Sequence, residues 1–313
     1  MQALNTETFA SIKQWMQSNH ERGRIAGSSL LLAQNGEIAM LHAQGKRSLA
    51  QDLPYETDTL TRIYSMTKPV TSVVVMQLMN EGRLSLEQPV SDFLPALSHC
   101  RALVNGADHI GQPEPAPTPS LFQLMVHTSG LTYGFNSGLL PDHYQDQGLN
   151  FEPESGQLQA MVQRIAQQPL AFCPGTRWEY SIGIDILGAV IEVITGQSLD
   201  QVFQDRIFDP LGMKDTFFTV PRERLAELAD CHVYSEEEPL KLFDAGAHSI
   251  FGPRQDRMFA GGGGLVSTLQ DYFRFAEMLR LDGTVDGVEI LPAPLLRSMK
   301  RNHLGCDIAD MGP

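Results

Sequence analysis

The pair Asn35-Gly36, set between the apolar runs SSLLLAQ and EIAMLHAQG, constrains the fold more than any other feature of the chain. Asn-Gly favours positive φ at both centres of a two-residue turn, the geometry that matches the twist of two antiparallel strands. An antiparallel sheet therefore starts early. Ahead of it, Phe9, Ile12, Trp15 and Met16 recur at helical spacing and predict an amphipathic helix packed on the body of the protein. After Ser65 the run VTSVVVMQLMNEG ends at Gly82. Its β-branched residues would suit a strand, but its length and glycine stop favour a buried helix.

A proline-rich stretch, NGADHIGQPEPAPTP at 105–119, predicts an extended surface loop, and a second irregular, polar stretch spans 137–155. Long irregular segments in compact proteins often form lids, and both are expected to border a functional cleft. Helical patterns occupy 120–128, 156–168 and 183–195. Near the end, GGGGLVSTLQDYFRFAEMLR reads as a glycine turn, a short strand and a helix that Ser267 or Thr268 could cap. This order suggests an α/β (α+β) protein in which residues 1–75 and 230–313 form a sheet-plus-helix domain around a helical domain at 76–229.

The 313 residues carry a formal net charge of -14 and 42% hydrophobic content. That balance argues against a nucleic acid or an anionic membrane as partner, since both need clustered Lys and Arg. The N-terminus lacks a basic start followed by an apolar stretch, and no run approaches the ~18 apolar residues of a membrane span. A cytoplasmic location is expected. Cys100, Cys173, Cys231 and Cys306 are scattered, without a C-x-x-C pair, and read as free thiols in a reducing compartment.

Common hydrolase signatures are missing: there is no G-x-S-x-G elbow, no H-E-x-x-H helix and no P-loop. The tetraglycine 261–264 is not followed by Lys and Ser or Thr, so a turn or close backbone approach suits it better than phosphate binding. His127, in HTSG, fits a hydrogen-bonding role better than catalysis, because no carboxylate stands nearby in sequence to orient it.

What remains is Ser65-Met66-Thr67-Lys68, an S-x-x-K arrangement. With 20 Ser and 6 Lys in the chain, chance alone gives about 0.4 such pairs, and a surface Ser and Lys at a helix start is the plain alternative. Context strengthens the motif. At a helix start, i and i+3 share a face, which brings the lysine amine to the serine hydroxyl. The Ser65 N–H then lies at the positive helix end, where it can stabilise an oxyanion. An apolar setting favours the neutral amine of a lysine as a base. A second element is Tyr180-Ser181, ahead of a helical pattern; a tyrosine beside a lysine cation gives up its proton more readily and could take that of a serine.

These elements, together with the phrases RIYSMTKPVTS, NEGRLSLEQPVSDFLP, LMVHTSGLTYG, PGTRWEYSIGIDILGAVIEVITGQSL, DPLGMKDTFF and GGGGLVSTLQDYFRFAEML, resemble the serine β-lactamase-like superfamily, the class C β-lactamase and penicillin-binding protein fold. Within it the sequence is most similar to family VIII carboxylesterases. The resemblance implies Ser65 as nucleophile, Lys68 as its activating partner and Tyr180 as the general base that later activates the deacylating water. It also implies an antiparallel sheet flanked by helices, beside an all-helical domain. Two departures stand out. Ile182 replaces the Asn usual at the third position of the tyrosine motif, which favours esters over β-lactams. The family's third motif, a Lys, His or Trp with glycines on a sheet strand, follows the segment resembled by MKRNHLGCDIADMGP, and the sequence reaches Pro313 before it. The expectation is an incomplete version of a longer enzyme.

The function that follows is hydrolysis of small-molecule carboxylic esters with short to medium acyl chains through an acyl-enzyme on Ser65, without a metal or organic cofactor. A β-lactamase or D-amino-acid peptidase on the same fold is the nearest alternative. A non-catalytic acyl-binding member is a third.

Overall fold

A computed structural model describes residues 6–311, in two compact units. The first unit comprises Met1–Arg62, Leu211–Arg254 and Val266–Leu281. It opens with helix α1 (Thr6–Glu21), followed by strands β1 (Gly27–Gln34), β2 (Glu37–Ser48), β3 (Leu53–Pro54) and β4 (Thr61–Arg62). β1 and β2 pair antiparallel with Gln34 opposite Glu37. Asn35 and Gly36 both take positive φ, 55° and 88°, as the hairpin requires.

β3 extends this sheet to three strands, while β4 pairs antiparallel with Val266–Ser267. The core here is Leu60, Val220, Leu228, Phe251 and Val266. Arg62 is buried against Asp244, with Nε 2.7 Å from Oδ2. It also donates to the Ala229 carbonyl and the Ser249 hydroxyl.

One expectation for α1 fails. Met16 is buried, but Trp15 is 66% exposed. Phe9, Ile12 and Met16 form one stripe, and Trp15 lies about 100° around the helix from Met16, outside it. The helix Leu269–Arg280 follows the short strand as expected, with the Thr268 hydroxyl accepting from the Asp271 N–H.

The second unit comprises Ile63–Pro210, Gln255–Leu265 and Asp282–Pro313. Its helices include α2 (Thr67–Asn80), α3 (Leu121–Met125), α4 (Leu139–Asp146), α5 (Leu158–Ile165) and α6 (Gly183–Thr195). α2 and α6 are apolar nearly all round and buried along most of their length, which is how a central helix differs from a surface one. Pro69 falls in the first turn of α2, where a missing N–H costs nothing. α4 corrects the irregular reading of 137–155: Pro141 sits in its first turn and is compatible with the helix rather than breaking it.

No single described helix is long and apolar enough to cross a membrane.

Candidate active site

Every residue of the site belongs to the second unit. Tyr64–Met66 form a 3-10 turn that feeds directly into α2, so Ser65 stands exposed just ahead of the helix while Lys68, one turn on, is buried. Tyr64 takes φ 42°, in the left-handed region that costs a side-chain-bearing residue energy. That turn points the serine hydroxyl outward. Lys68 Nζ lies 3.3 Å from Ser65 Oγ, and the Tyr180 hydroxyl donates to the same oxygen at 2.7 Å. The three residues singled out by the sequence thus meet at one point.

Lys68 has further partners that the sequence did not reveal. Its Nζ donates to the Gly262 carbonyl at 2.7 Å and stands over the rings of Tyr180 and Tyr133, at 4.6 and 5.2 Å from their centroids. Such a position over two π faces suits a cation. Behind it lies Asp185, 1% exposed on α6. Asp185 accepts from the Tyr133 hydroxyl at 2.7 Å and from the Gly262 N–H at 2.8 Å. Gly262 is therefore gripped on both sides, carbonyl to Lys68 and N–H to Asp185. A Cβ there would collide with the Asp185 carboxylate and come within 2.6 Å of the Tyr133 oxygen, so only glycine fits. The tetraglycine is the close backbone approach its sequence suggested.

Burial pushes the Asp185 carboxyl above its ordinary range, against the opposing pull of Lys68 and the bonds from Tyr133 and Gly262. Burial, with help from Asp185, also holds the Tyr133 phenol far above its usual range, so it acts as a donor.

His127 takes a structural place. Its Nδ1 accepts the Ser181 N–H at 3.2 Å, fixing the peptide next to Tyr180, and its ring lies 4.9 Å from the Tyr180 ring. Burial, then the Lys68 charge, push its imidazole down to about 4, so it is neutral near neutral pH. The Asn136 side chain donates to the Tyr180 carbonyl at 2.8 Å. Tyr180 is thereby held from both flanks.

In front of Ser65 opens a cavity of about 330 Å³. Its walls are aromatic and aliphatic, with Tyr64, Tyr133, Phe135, Leu149 and Phe151 among the lining residues. Phe135, 72% exposed, stacks on Tyr133 at 4.6 Å between centroids. The stretch from Tyr144 to Glu152 supplies much of the wall, whereas 105–119 supplies none of it; Asn105 to Ala107 line a separate cavity instead. Ile182 is fully buried and is not among the lining residues. Among the described residues no group of three or more His, Cys, Asp or Glu could hold a metal ion.

A serine hydroxyl bonded to both a lysine and a tyrosine, one helical turn apart from the first and 115 residues from the second, at the mouth of an apolar cavity, defines a β-lactamase-type site. The beta-lactamase family model matches residues 12–308, and the chain belongs to that family. Within it the chain is similar to Esterase EstB of Burkholderia gladioli, 31% identical over 93% of this chain and 73% of the relative. It is also similar to the lovastatin esterase of Penicillium rubens, 32% identical over 92% of this chain and 72% of the relative. Among solved structures, EstCE1, a hydrolase with promiscuous acyltransferase activity, superposes with a TM-score of 0.75 at 28% identity, covering 92% of this chain and 75% of the other. The fold is the β-lactamase/transpeptidase type, close to the family VIII esterases.

Proposed function

We propose that the chain is a serine carboxylesterase that cleaves small esters through an acyl-enzyme on Ser65. The single observation that carries this reading is the double engagement of Ser65 Oγ by the Tyr180 hydroxyl at 2.7 Å and Lys68 Nζ at 3.3 Å. In the first half-reaction, starting from Tyr180 as a phenolate that has released its proton to solvent, Oγ attacks the ester carbonyl carbon while its proton passes to the Tyr180 oxygen. Lys68, over the Tyr180 ring and 3.3 Å from Ser65 Oγ, offsets the negative charge of the phenolate and of the attacking oxygen. The carbonyl oxygen becomes an oxyanion beside the Ser65 N–H at the start of α2. Collapse expels the alcohol, which takes the proton from Tyr180 and leaves the acyl group on Ser65. Water then repeats the sequence from the other side, giving up its proton to Tyr180 and releasing the acid.

The nearest alternative is β-lactam cleavage, favoured by the family match. Two observations support esters instead. Ile182 offers no side-chain hydrogen bond to an amide, and the relatives named for an activity include esterases and an acyltransferase. The aromatic cavity suits short to medium acyl chains, its volume being at the lower end of that of small-molecule sites. The test is kcat/KM on p-nitrophenyl esters of C2 to C12 acids beside a chromogenic cephalosporin, with Ser65→Ala as control. Esters should win, with an optimum at C4 to C8. A clear preference for the cephalosporin, or ester turnover surviving Ser65→Ala above a few per cent, overturns the reading.

A further inference from the structure

Among the described residues lining the cavity, Lys68, Asp185 and Glu152 are the only Lys, Arg, His, Asp or Glu. The first two are occupied with one another's surroundings. Lys68 is buried, donates to Gly262 and Ser65, and lies near the buried Asp185 carboxylate, which is itself held by Tyr133 and Gly262. Little net field from that pair reaches a ligand. Glu152 differs: it is exposed, and Lys68, the one basic residue of the described lining, directs its hydrogen bonds to Gly262 and Ser65.

Its position is fixed by the chain around it. The Glu152 N–H donates to the Ser155 hydroxyl at 3.2 Å, and the Met258 N–H donates to the Pro153 carbonyl at 3.1 Å, which ties this loop to the segment leading into the tetraglycine. Glu152 lines the same cavity as Asp185 and Tyr133, and its charge acts on both. Partial burial, then the neighbouring Glu154 and Asp185, raise its proton affinity. A substrate carboxylate brought into this space would meet one further unpaired negative charge, whereas a cationic group would meet a partner.

We propose that Glu152 is a specificity-determining residue that makes this cavity select esters bearing a positive charge over esters of the same shape bearing a carboxylate. The inference rests on the esterase reading above. Two unit charges about 4 Å apart change affinity by about fivefold in bulk water and by roughly a thousandfold at the effective dielectric near a protein surface, so an exposed carboxylate acts near the lower end, at about tenfold. The partial exposure of Glu152 keeps the effect at that scale, and added salt should shrink it.

The experiment compares three p-nitrophenyl esters of one size, with acyl chains ending in trimethylammonio, tert-butyl or carboxylate groups. kcat/KM is measured at low and at high salt for the wild type, Glu152→Gln and Glu154→Gln, and each charged ester is referred to the neutral one within the same protein. The expected result is a wild-type cation-to-anion ratio well above one that falls toward one at high salt. Glu152→Gln should lower that ratio about tenfold, and Glu154→Gln, which removes the same charge outside the lining, should change it less than twofold. A wild-type ratio at or below one, a ratio untouched by Glu152→Gln, or an equal shift from Glu154→Gln overturns the proposal while leaving the esterase reading intact. Failure to turn over any of the three esters removes both together.

Discussion

Each unit buries a cation near a carboxylate, and the two arrangements differ in one respect. Arg62 is closed: Asp244, the Ala229 carbonyl and the Ser249 hydroxyl satisfy it, and Ser249 in turn donates to Asp244 at 2.6 Å. Lys68 is open. It meets Asp185 only through Gly262, one on the carbonyl and the other on the N–H, and its remaining reach goes to an exposed serine hydroxyl. A buried charge whose donors all end inside the protein serves the fold, while one that keeps a donor on a solvent-facing oxygen is available to a reaction.

The sharpest way to break this comparison is to truncate each arrangement and ask whether stability or turnover responds. Asp244→Ala leaves the Arg62 guanidinium buried without its carboxylate, and a loss of about 3–5 kcal/mol in a denaturant melt is expected. Turnover per folded molecule should stay within a few-fold. Lys68→Ala and Tyr180→Phe should do the reverse: kcat falls ~10²-fold or more, the usual effect of losing a positioned proton-transfer group, with the melt little changed. A large stability loss from Lys68→Ala with turnover preserved would reverse the assignment of the two pairs.

Asp185→Asn probes the linkage between them. Tyr133 and Gly262 donate to different oxygens of Asp185, and Asn puts an NH2 donor in place of one of them, so the Gly262 carbonyl shifts under Lys68. A drop of about tenfold in kcat with KM nearly unchanged is expected, as the change touches the proton path rather than the cavity wall. The smallest effect concerns pH. His127 is held near 4 in the folded chain, below the ~6.5 of an unfolded histidine. The unfolded state therefore binds the proton first. His127's share of stability is complete above about pH 6.5 and declines as pH falls toward 4. Its partial exposure limits that share to about 1–2 kcal/mol, measured as the difference in pH-dependent melting between wild type and His127→Asn. Asn tolerates the positive φ of this position, 60°, and keeps an acceptor for the Ser181 N–H. Identical pH profiles would remove His127 from the account.

What the sequence made legible follows from how local each signal is. The hairpin, α2 and α6 are written in contiguous periodicity and turn chemistry, and they appear where those patterns place them. Ser65 and Lys68 are one turn apart, so a motif four residues long captures them. Asp185, Tyr133 and Gly262 come from three distant segments and share no motif. A signal existed for one of them: Asp185 is a lone carboxylate in the apolar run SIGIDILGAVI, and a charge in a helix buried all round requires partners. Those partners, a tyrosine hydroxyl and a glycine N–H, are visible only once the chain has folded. Trp15 and α4 fail for simpler reasons, a residue just outside an apolar stripe and a proline in a tolerated position.

The central claim is that Ser65 is a nucleophile activated by Lys68 and Tyr180, and covalent trapping tests it most directly. The purified protein is treated with a fluorophosphonate, its intact mass is measured, and the modified peptide is mapped. The account expects one phosphonyl adduct, on Ser65, formed rapidly in the wild type, at least ~10²-fold more slowly in Lys68→Ala and Tyr180→Phe, and not at all in Ser65→Ala. An unmodified wild type, an adduct on another residue, or equal rates in the three proteins that retain Ser65 would contradict it.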